Sequence, residues 1–224
     1  MLVLPSMREY AQRRPDRPPF EDSVLIASQE GEGKEFWEKV YSYLRDLSPQ
    51  QPVKREEHLL SLIRPEHGFF GFRTHPITKE KKHFHLGIEI STKVREEIHP
   101  LFDGVLEYSG FGALSGYYVL LSHPDIQTED GYILHTLYCH MKRPLVKFSA
   151  HQKMLREISL GTYPIVPIVK EKTIGLTGST GKTVGTEPVL YLQADFRKFE
   201  HRPIVIDPLK LFEEKTYRNN KSNT

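Results

Sequence analysis

Three residues with metal-ligand chemistry, His83, His85 and Glu89, follow one another within a short segment that reads as a β-strand. Side chains two or four positions apart on an extended chain point to the same face, so all three would share one side. Imidazole and carboxylate groups both bind zinc, which takes three protein ligands and a water in catalytic sites. Because the chain holds eleven histidines, a polar surface patch is an alternative that these residues alone leave open.

A second candidate is the glycine-rich segment 175–183, which reads GLTGSTGKT. A phosphate-binding P-loop needs a glycine five residues before Gly181, but Leu176 stands there and Gly175 comes one place too early. Strand-like sequence flanks the segment on both sides, so no helix N-terminus is available to hold a phosphate. The pattern therefore predicts a hairpin turn.

A third candidate is the pair Cys139–His140, a possible nucleophile and base. Adjacent residues in a strand point to opposite faces, so we expect no direct pairing and predict a buried structural cysteine. Cys139 is the only cysteine, which excludes a disulfide framework and a cysteine-rich metal site.

The composition describes one globular domain with extensions. The chain has 224 residues, of which 38% are hydrophobic and 27% charged. A net charge of +2 from 31 basic and 29 acidic residues argues against a nucleic-acid surface built on bulk charge. No apolar run approaches the roughly 18 residues of a membrane span. The apolar start, residues 1–5, is too short for the core of a signal peptide, which favours either an intracellular protein or a trimmed signal.

The pattern along the chain predicts a mainly β protein with helical additions. Residues 1–32 read as an extended arm with little regular structure, 33–47 as an amphipathic helix, and 53–63 as a second short helix. Residues 149–160 predict a helical insertion and 213–224 a polar tail. The expected division is 1–67, 68–212 and 213–224. Short β-rich runs separated by Gly and Pro predict antiparallel strands at 86–90, 104–108, 117–121, 132–140, 173–177 and 188–196.

A series of short segments in this order carries a family resemblance: GFRTHPIT (71–78), HLGIEI (85–90), DGV (103–105), GYYV (116–119), LSH (121–123), LYCHM (137–141), IGLTGSTG (174–181) and DP (207–208). Together they resemble the lysostaphin/LytM-type zinc endopeptidases, which cleave peptide cross-links of bacterial peptidoglycan. The resemblance covers about 69–212. It implies an antiparallel LytM-like β-sheet or sandwich.

The resemblance also implies which residues occupy the family's functional positions. His85 falls on the first zinc ligand, and Glu89 on the second, where aspartate is usual. His140 falls on the first catalytic histidine. The second catalytic histidine falls on Val189 and the third zinc ligand on Tyr191, where neither side chain suits the role, because a phenol must ionise before it binds metal.

The leading hypothesis is therefore a catalytically inactive domain that binds a peptidoglycan peptide or a cell-envelope protein, with no resident cofactor. We expect Arg73, Tyr117 and His123 to line its groove. One alternative is an active zinc endopeptidase in which His83 or His75 supplies the missing ligand. Another is an assembly domain on the same scaffold. The resemblance implies a location in the cell envelope, and the sequence leaves the oligomeric state open.

Overall fold

The computed structural model describes residues 2–4, 6–13, 24–27, 30–74, 79, 83–147 and 165–213. Strands dominate this part of the chain. In order they are β1 (Leu2–Leu4), β2 (Ala11–Arg13), β3 (Leu25–Ala27), β4 (Gly71–Arg73), β5 (His83–His85), β6 (Ile88–Ser91), β7 (Glu97–Ile98), β8 (Gly104–Gly112), β9 (Gly116–Thr128), β10 (Ile133–Met141), β11 (Arg143–Pro144), β12 (Pro167–Ile168), β13 (Gly175–Leu176), β14 (Val189–Arg197) and β15 (Ile204–Ile206). The helices are α1 (Gly31–Asp46) and α2 (Leu59–Leu62), with 3-10 turns at Arg8–Tyr10, Gly181–Thr183 and Pro208–Leu211.

One large sheet forms the frame of the molecule. Its strands follow the order β12-β8-β9-β10-β14-β15-β3-β2, with β6 also paired to β14 and β1 to β9. The long central strands β8, β9, β10 and β14 run antiparallel to their neighbours in this group. β1 pairs in parallel with β9, and β3 pairs in parallel with β15. Two small sheets, β11-β13-β7 and β4-β5, complete the described part. The prediction of a mainly β, antiparallel fold is confirmed, and each predicted strand overlaps an observed one.

Helix α1 packs one face into the core, as its sequence pattern predicts. Its buried residues, Trp37, Val40, Tyr41 and Leu44, recur at spacings of three and four. The second predicted helix is much shorter than 53–63, because Val53 is extended and forms an isolated bridge with Ile98. None of the helices in the described part of the chain combines the length and apolarity of a membrane span.

The N-terminal segment is more regular than the sequence predicted. Its described parts form β1, β2 and β3, and β3 pairs with β15 while β1 pairs with β9. The prediction of little regular structure is wrong for these residues, because three-residue strands are too short to show a periodic pattern. The predicted insertion at 149–160 and the tail beyond Glu213 lie outside the described residues.

The segment 175–183 connects two sheets and does not form the predicted hairpin turn. β13 pairs with β7 and β11, whereas β14 pairs with β10, β15 and β6. A 3-10 turn at Gly181–Thr183 is followed by a strand, so the exclusion of a P-loop is confirmed. The Thr180 hydroxyl donates to the carbonyl of Met141 at 2.7 Å and accepts the amide of Tyr117 at 2.9 Å. The loop is thereby tied to β9 and β10.

Gly181 should be the least replaceable residue of this loop. Its φ is +72°, and an added Cβ would clash with the backbone amide of Gly116. We expect Gly181→Ala to lower the free energy of unfolding by about 3 kcal/mol, from left-handed strain and overpacking together. Gly185 is the matched control: its φ is +85°, but an added Cβ meets nothing within 4 Å. Gly185→Ala should cost only about 1 kcal/mol in urea unfolding; equal losses would contradict the steric part of this prediction.

Candidate functional site

His85 and Glu89 meet, although they lie on separate strands. His85 ends β5 and Glu89 lies in β6, and His85 Nε2 is 3.7 Å from Glu89 Oε1. Gly87, in the connection between the two strands, allows β14 to pack closely against this connection, because a Cβ there would lie 2.8 Å from Cζ of Tyr191 and would clash with the carbonyl of Leu192. The prediction that one strand carries both residues on the same face is wrong, because the segment is divided between β5 and β6, yet the two side chains still come within 3.7 Å of each other.

Backbone contacts fix the orientation of the His85 ring. Its Nδ1 lies 2.9 Å from the carbonyl oxygen of Phe69, and since a carbonyl only accepts, Nδ1 carries the proton. Nε2 is left as a buried acceptor with no hydrogen-bond partner among the described residues. Burial, together with the Arg73 charge, lowers the pKa of His85 to about 3. The ring is therefore neutral near pH 7, and its contact with Glu89 is not an ion pair.

Arg73 supplies a positive charge next to Glu89. Its Nη2 lies 3.5 Å from Glu89 Oε1, and the two side chains are only 5% and 7% exposed. The Nε and Nη1 groups are buried, with no partner in the part of the chain that the structure describes. Burial lowers the pKa of Arg73, but a guanidinium stays charged in proteins. The carboxylate is thus balanced by an internal cation.

His140 lies across the site in an unusual backbone conformation. Its φ is +64°, at a register shift between β9 and β10, and its Nδ1 lies 2.9 Å from the carbonyl oxygen of Thr180. Its ring centroid is 6.3 Å from that of Tyr191. Burial lowers the pKa of His140, so this ring too is neutral at pH 7.

The left-handed turn at His140 also overturns part of the sequence reasoning on Cys139. Cys139 is in register with Tyr191, and the His140 ring contacts the same tyrosine, so simple strand alternation fails here. The prediction of a structural cysteine is nevertheless confirmed. Cys139 is buried and free, and burial raises the pKa of its thiol to about 12, so the sulfur is protonated at neutral pH.

Val189 and Tyr191 lie in the part of β14 that pairs with β6. Tyr191 is in register with Glu89, and Val189 with Ser91. The ring centroid of Tyr191 is 5.4 Å from that of His85, but its hydroxyl donates to Gln193 Oε1 at 2.9 Å. Burial raises the pKa of Tyr191 far above its usual value. This phenol is a neutral donor directed along its own strand.

The described residues do not fit zinc. His85 and Glu89 provide two donor groups, burial raises the pKa of the Tyr191 phenol and keeps it neutral, and the Arg73 guanidinium lies beside the carboxylate. No group of three His, Cys, Asp or Glu that could hold a metal occurs within these ranges, which include His83. The other proposed rescue ligand, His75, lies outside the described residues.

The groove residues predicted from the resemblance divide into two kinds. Tyr117 is 38% exposed at the start of β9, where its ring contacts Phe111 edge-on. Arg73 is buried against Glu89. His123 is wrong as a groove residue, because it is fully buried with Nδ1 2.8 Å from the carbonyl of Asp103 and Nε2 2.8 Å from the hydroxyl of Thr136. Its sequence motif marks the core.

His123 should instead contribute to the pH dependence of folding. Burial lowers its pKa to about 4 from 6.5, so the unfolded chain binds the proton more tightly, and stability falls as pH drops from 6.5 towards 4. We expect His123→Gln to reduce the stability difference between pH 7 and pH 5 by about 2 kcal/mol. Urea unfolding at both pH values measures this. An unchanged difference would show that His123 does not titrate as described.

A pocket of about 410 Å³ opens beside the cluster and was not anticipated from the sequence. Its lining residues are Arg64, Pro65, Glu66, His67, Glu89, Ser91 and Glu187. The segment after α2 supplies four of them, and Arg64 is held by its Nη2 donating to the carbonyl of Glu187 at 3.0 Å. In the sequence, the Arg64–Pro65 pair indicated only the end of a helix, and no pattern predicted that this segment lines a pocket.

Comparisons with solved structures found distant similarities of fold. No protein-family model and no curated protein matches the chain. It is similar to a zinc-containing peptidase from Vibrio cholerae (20% identity, 74% of this chain and 41% of that one, TM-score 0.45). It is also similar to Csd3 of Helicobacter pylori (23% identity, 74% of this chain and 35% of that one, TM-score 0.44). A third similarity is to the catalytic domain of the antimicrobial peptidase lysostaphin from Staphylococcus simulans (18% identity, 64% of this chain and 90% of that one, TM-score 0.41).

These structures belong to the class that the sequence motifs resemble, the lysostaphin/LytM-type peptidases. The chain spans less than half the length of the first two.

Proposed function

We propose that this chain is a non-catalytic LytM-like domain that binds a peptide or a partner protein of the bacterial cell envelope. The observation that carries the proposal is the state of β14 at the site. Val189 has no functional group, and Tyr191 is a protonated phenol bonded to Gln193. The strand that should complete a zinc site supplies neither a ligand nor a base.

Hydrolysis of an amide in this class requires the missing groups. Zinc, when bound, lowers the pKa of a water to about 7 and polarises the scissile carbonyl. With two donors and a neighbouring guanidinium, this cluster has no such centre. His140 retains an orienting contact to Thr180, but no second histidine stands at Val189 to share the proton or stabilise an oxyanion. Loss of one such group typically costs about a hundredfold or more in rate.

The remaining features support binding. Both imidazoles are held through Nδ1 by backbone carbonyls, so each presents Nε2 in a defined direction. The adjoining pocket provides a concave surface, and exposed Tyr117 and Phe111 add aromatic surface near the loop that holds His140.

Three measurements on the chelator-treated protein test the proposal. We expect no heat of binding when zinc is added at micromolar concentration, no dye release from labelled peptidoglycan with or without zinc, and co-sedimentation with insoluble peptidoglycan. Zinc-dependent dye release would establish an enzyme with an altered metal site. Absence from the peptidoglycan pellet and from cross-linked cell-envelope proteins would favour the assembly domain.

A further inference from the structure

The turn between β8 and β9 carries a group of exposed apolar side chains. Phe111 and Leu114 are 60% and 74% exposed, and the ring of Phe111 contacts that of Tyr117 edge-on, with 5.0 Å between centroids. Val184, 71% exposed, adds a fourth side chain from the loop before β14. We call Phe111, Leu114, Tyr117 and Val184 the apolar tip. Single exposed apolar residues are ordinary, whereas a group of them in one place indicates an interaction surface.

Backbone contacts hold the two loops of the apolar tip together. The amide of Lys182 donates to the carbonyl of Leu114 at 3.1 Å, and the amide of His140 donates to the carbonyl of Ser115 at 2.8 Å. The loops also pack closely, because a Cβ on Gly181 would lie 2.6 Å from the same carbonyl oxygen of Leu114. The exposed side chains therefore stand on a fixed base.

The charged side chains that accompany the apolar tip are positive. Residues 108–124 include no Asp, Glu, Lys or Arg, and within 173–186 the single charged side chain is Lys182. Lys142 follows β10 and lies against Gly178 of the same loop. Both lysines are exposed, and neither forms a salt bridge with another residue that the structure describes. This end of the molecule is thus apolar and cationic.

Two acidic side chains border these segments, and both are engaged elsewhere. Glu97 is in register with Leu176, but its carboxylate accepts from the hydroxyl of Thr173 at 3.1 Å. Glu187 lines the pocket beside Glu89. The chain holds 29 acidic residues against 31 basic ones, so their absence from the apolar tip is a local asymmetry of charge.

A surface that is both apolar and positively charged fits an anionic phospholipid bilayer. The head groups attract lysines, and apolar side chains at an exposed turn enter the layer beneath them. A second copy of the chain, docked through the same face, would place Lys142 and Lys182 near like charges across the two-fold axis. A protein partner would need an acidic rim around an apolar cleft of matching shape, whereas every anionic bilayer offers both features.

We infer that the apolar tip, together with Lys142 and Lys182, docks the chain on the surface of an anionic phospholipid membrane. The inference goes beyond the proposed function and does not depend on it, because a bilayer contains no peptide. Ser115 in the turn is bonded to the backbone of His140, so docking holds the His140 side of the site close to the membrane.

Sedimentation with vesicles tests the inference on the full chain. One set of vesicles is phosphatidylcholine alone, and the other is equal parts phosphatidylcholine and phosphatidylglycerol. We expect the partition coefficient on the anionic vesicles to exceed that on the neutral ones about tenfold or more. Added salt should reduce this difference, because it screens the lysines.

Paired substitutions separate the apolar and the charged contributions. Phe111→Ser with Leu114→Ser should lower the partition coefficient on anionic vesicles about tenfold or more. Lys142→Gln with Lys182→Gln should lower it about tenfold and leave the neutral vesicles unaffected. Circular dichroism verifies that each variant is folded.

Phe199 provides the matched control for the apolar variant. It is 87% exposed and lies beyond Arg197, whereas the His140 end of the sheet is marked by the pairing of Cys139 with Tyr191. Phe199→Ser should change the partition coefficient less than about twofold, because a single exposed apolar residue is not an interaction surface.

A spin label measures whether the turn enters the bilayer. Cys139 is buried, so a nitroxide reagent should modify Leu114→Cys selectively. On anionic vesicles we expect this label to become less accessible to a water-soluble nickel complex and more accessible to oxygen. The same label on Phe199→Cys should keep its accessibility to both.

Three results would overturn the inference: no sedimentation of the wild-type chain with anionic vesicles, undiminished sedimentation of the Phe111 and Leu114 variant, or a bound chain whose label at position 114 stays accessible to the nickel complex. Binding that needs the lysines but not the apolar side chains would indicate an acidic protein partner instead. Sedimentation with peptidoglycan is a separate measurement, so each proposal can fail without the other.

Discussion

The triple variant Val189→His, Tyr191→His and Glu89→Asp should bind zinc with a micromolar or lower Kd, whereas the parent chain should retain none. Both changed positions of β14 share the face that carries Tyr191 against His85, because residues two apart in a strand point the same way. The variant therefore offers three zinc ligands: His85, the shorter carboxylate at position 89 and the new imidazole at position 191. His140 and the new imidazole at position 189 handle protons. A micromolar Kd corresponds to about 8 kcal/mol of new binding free energy.

We expect the triple variant also to cleave peptidoglycan; calorimetry with zinc measures the binding, and dye release from labelled peptidoglycan measures the cleavage. The matched control is the same triple variant with His85→Ala, which should lose both zinc and cleavage. A parent chain that already binds zinc would show that Tyr191 or a residue outside the described ranges acts as the third ligand. A zinc-loaded but inactive triple variant would place the loss of activity elsewhere in the groove.

Trp37→Ala should lower the free energy of unfolding of the whole chain by about 3–5 kcal/mol. Trp37 is 1% exposed in α1, and its Nε1 donates to the carbonyl of Tyr10 at 2.7 Å. Its ring also lies 6.4 Å, between centroids, from Phe196 in β14. One side chain thus joins the N-terminal segment, the helix and the central sheet.

Urea unfolding followed by circular dichroism measures this loss, because the variant lacks the single tryptophan of the chain and with it the tryptophan fluorescence. Tyr43 lies in the same helix and its side chain is 49% exposed, so Tyr43→Ala should change the free energy of unfolding by less than about 0.5 kcal/mol. The division into an extension at 1–67 and a β domain at 68–212 remains a proposal. If the helix signal of the Trp37 variant is lost at lower urea than the β signal, the extension and the β domain are separate folding units. A single shared transition would show that they unfold as one unit.

The sequence predicted the long strands and the site on different grounds. Strands β8, β9, β10 and β14 contain β-rich runs bounded by Gly and Pro, and these runs identified them. The segments around Leu2–Leu4 and Leu25–Ala27 are too short, and their pairing with β9 and β15 depends on edges that no local pattern reveals. His123 shows the opposite error, since a polar residue in a family-like motif was placed in the groove when two internal hydrogen bonds hold it in the core.

From the sequence by itself came the pair His85 and Glu89 and, through the family resemblance, the prediction that Val189 and Tyr191 stand where a catalytic histidine and a zinc ligand would be. Only the tertiary structure decided that Arg73 balances Glu89, that Tyr191 is tied to Gln193, and that Nε2 of His85 lacks a partner among the described residues. The physical reason is that burial and hydrogen bonding between strands distant in sequence set the charge of a site and decide which of its polar groups find a hydrogen-bond partner.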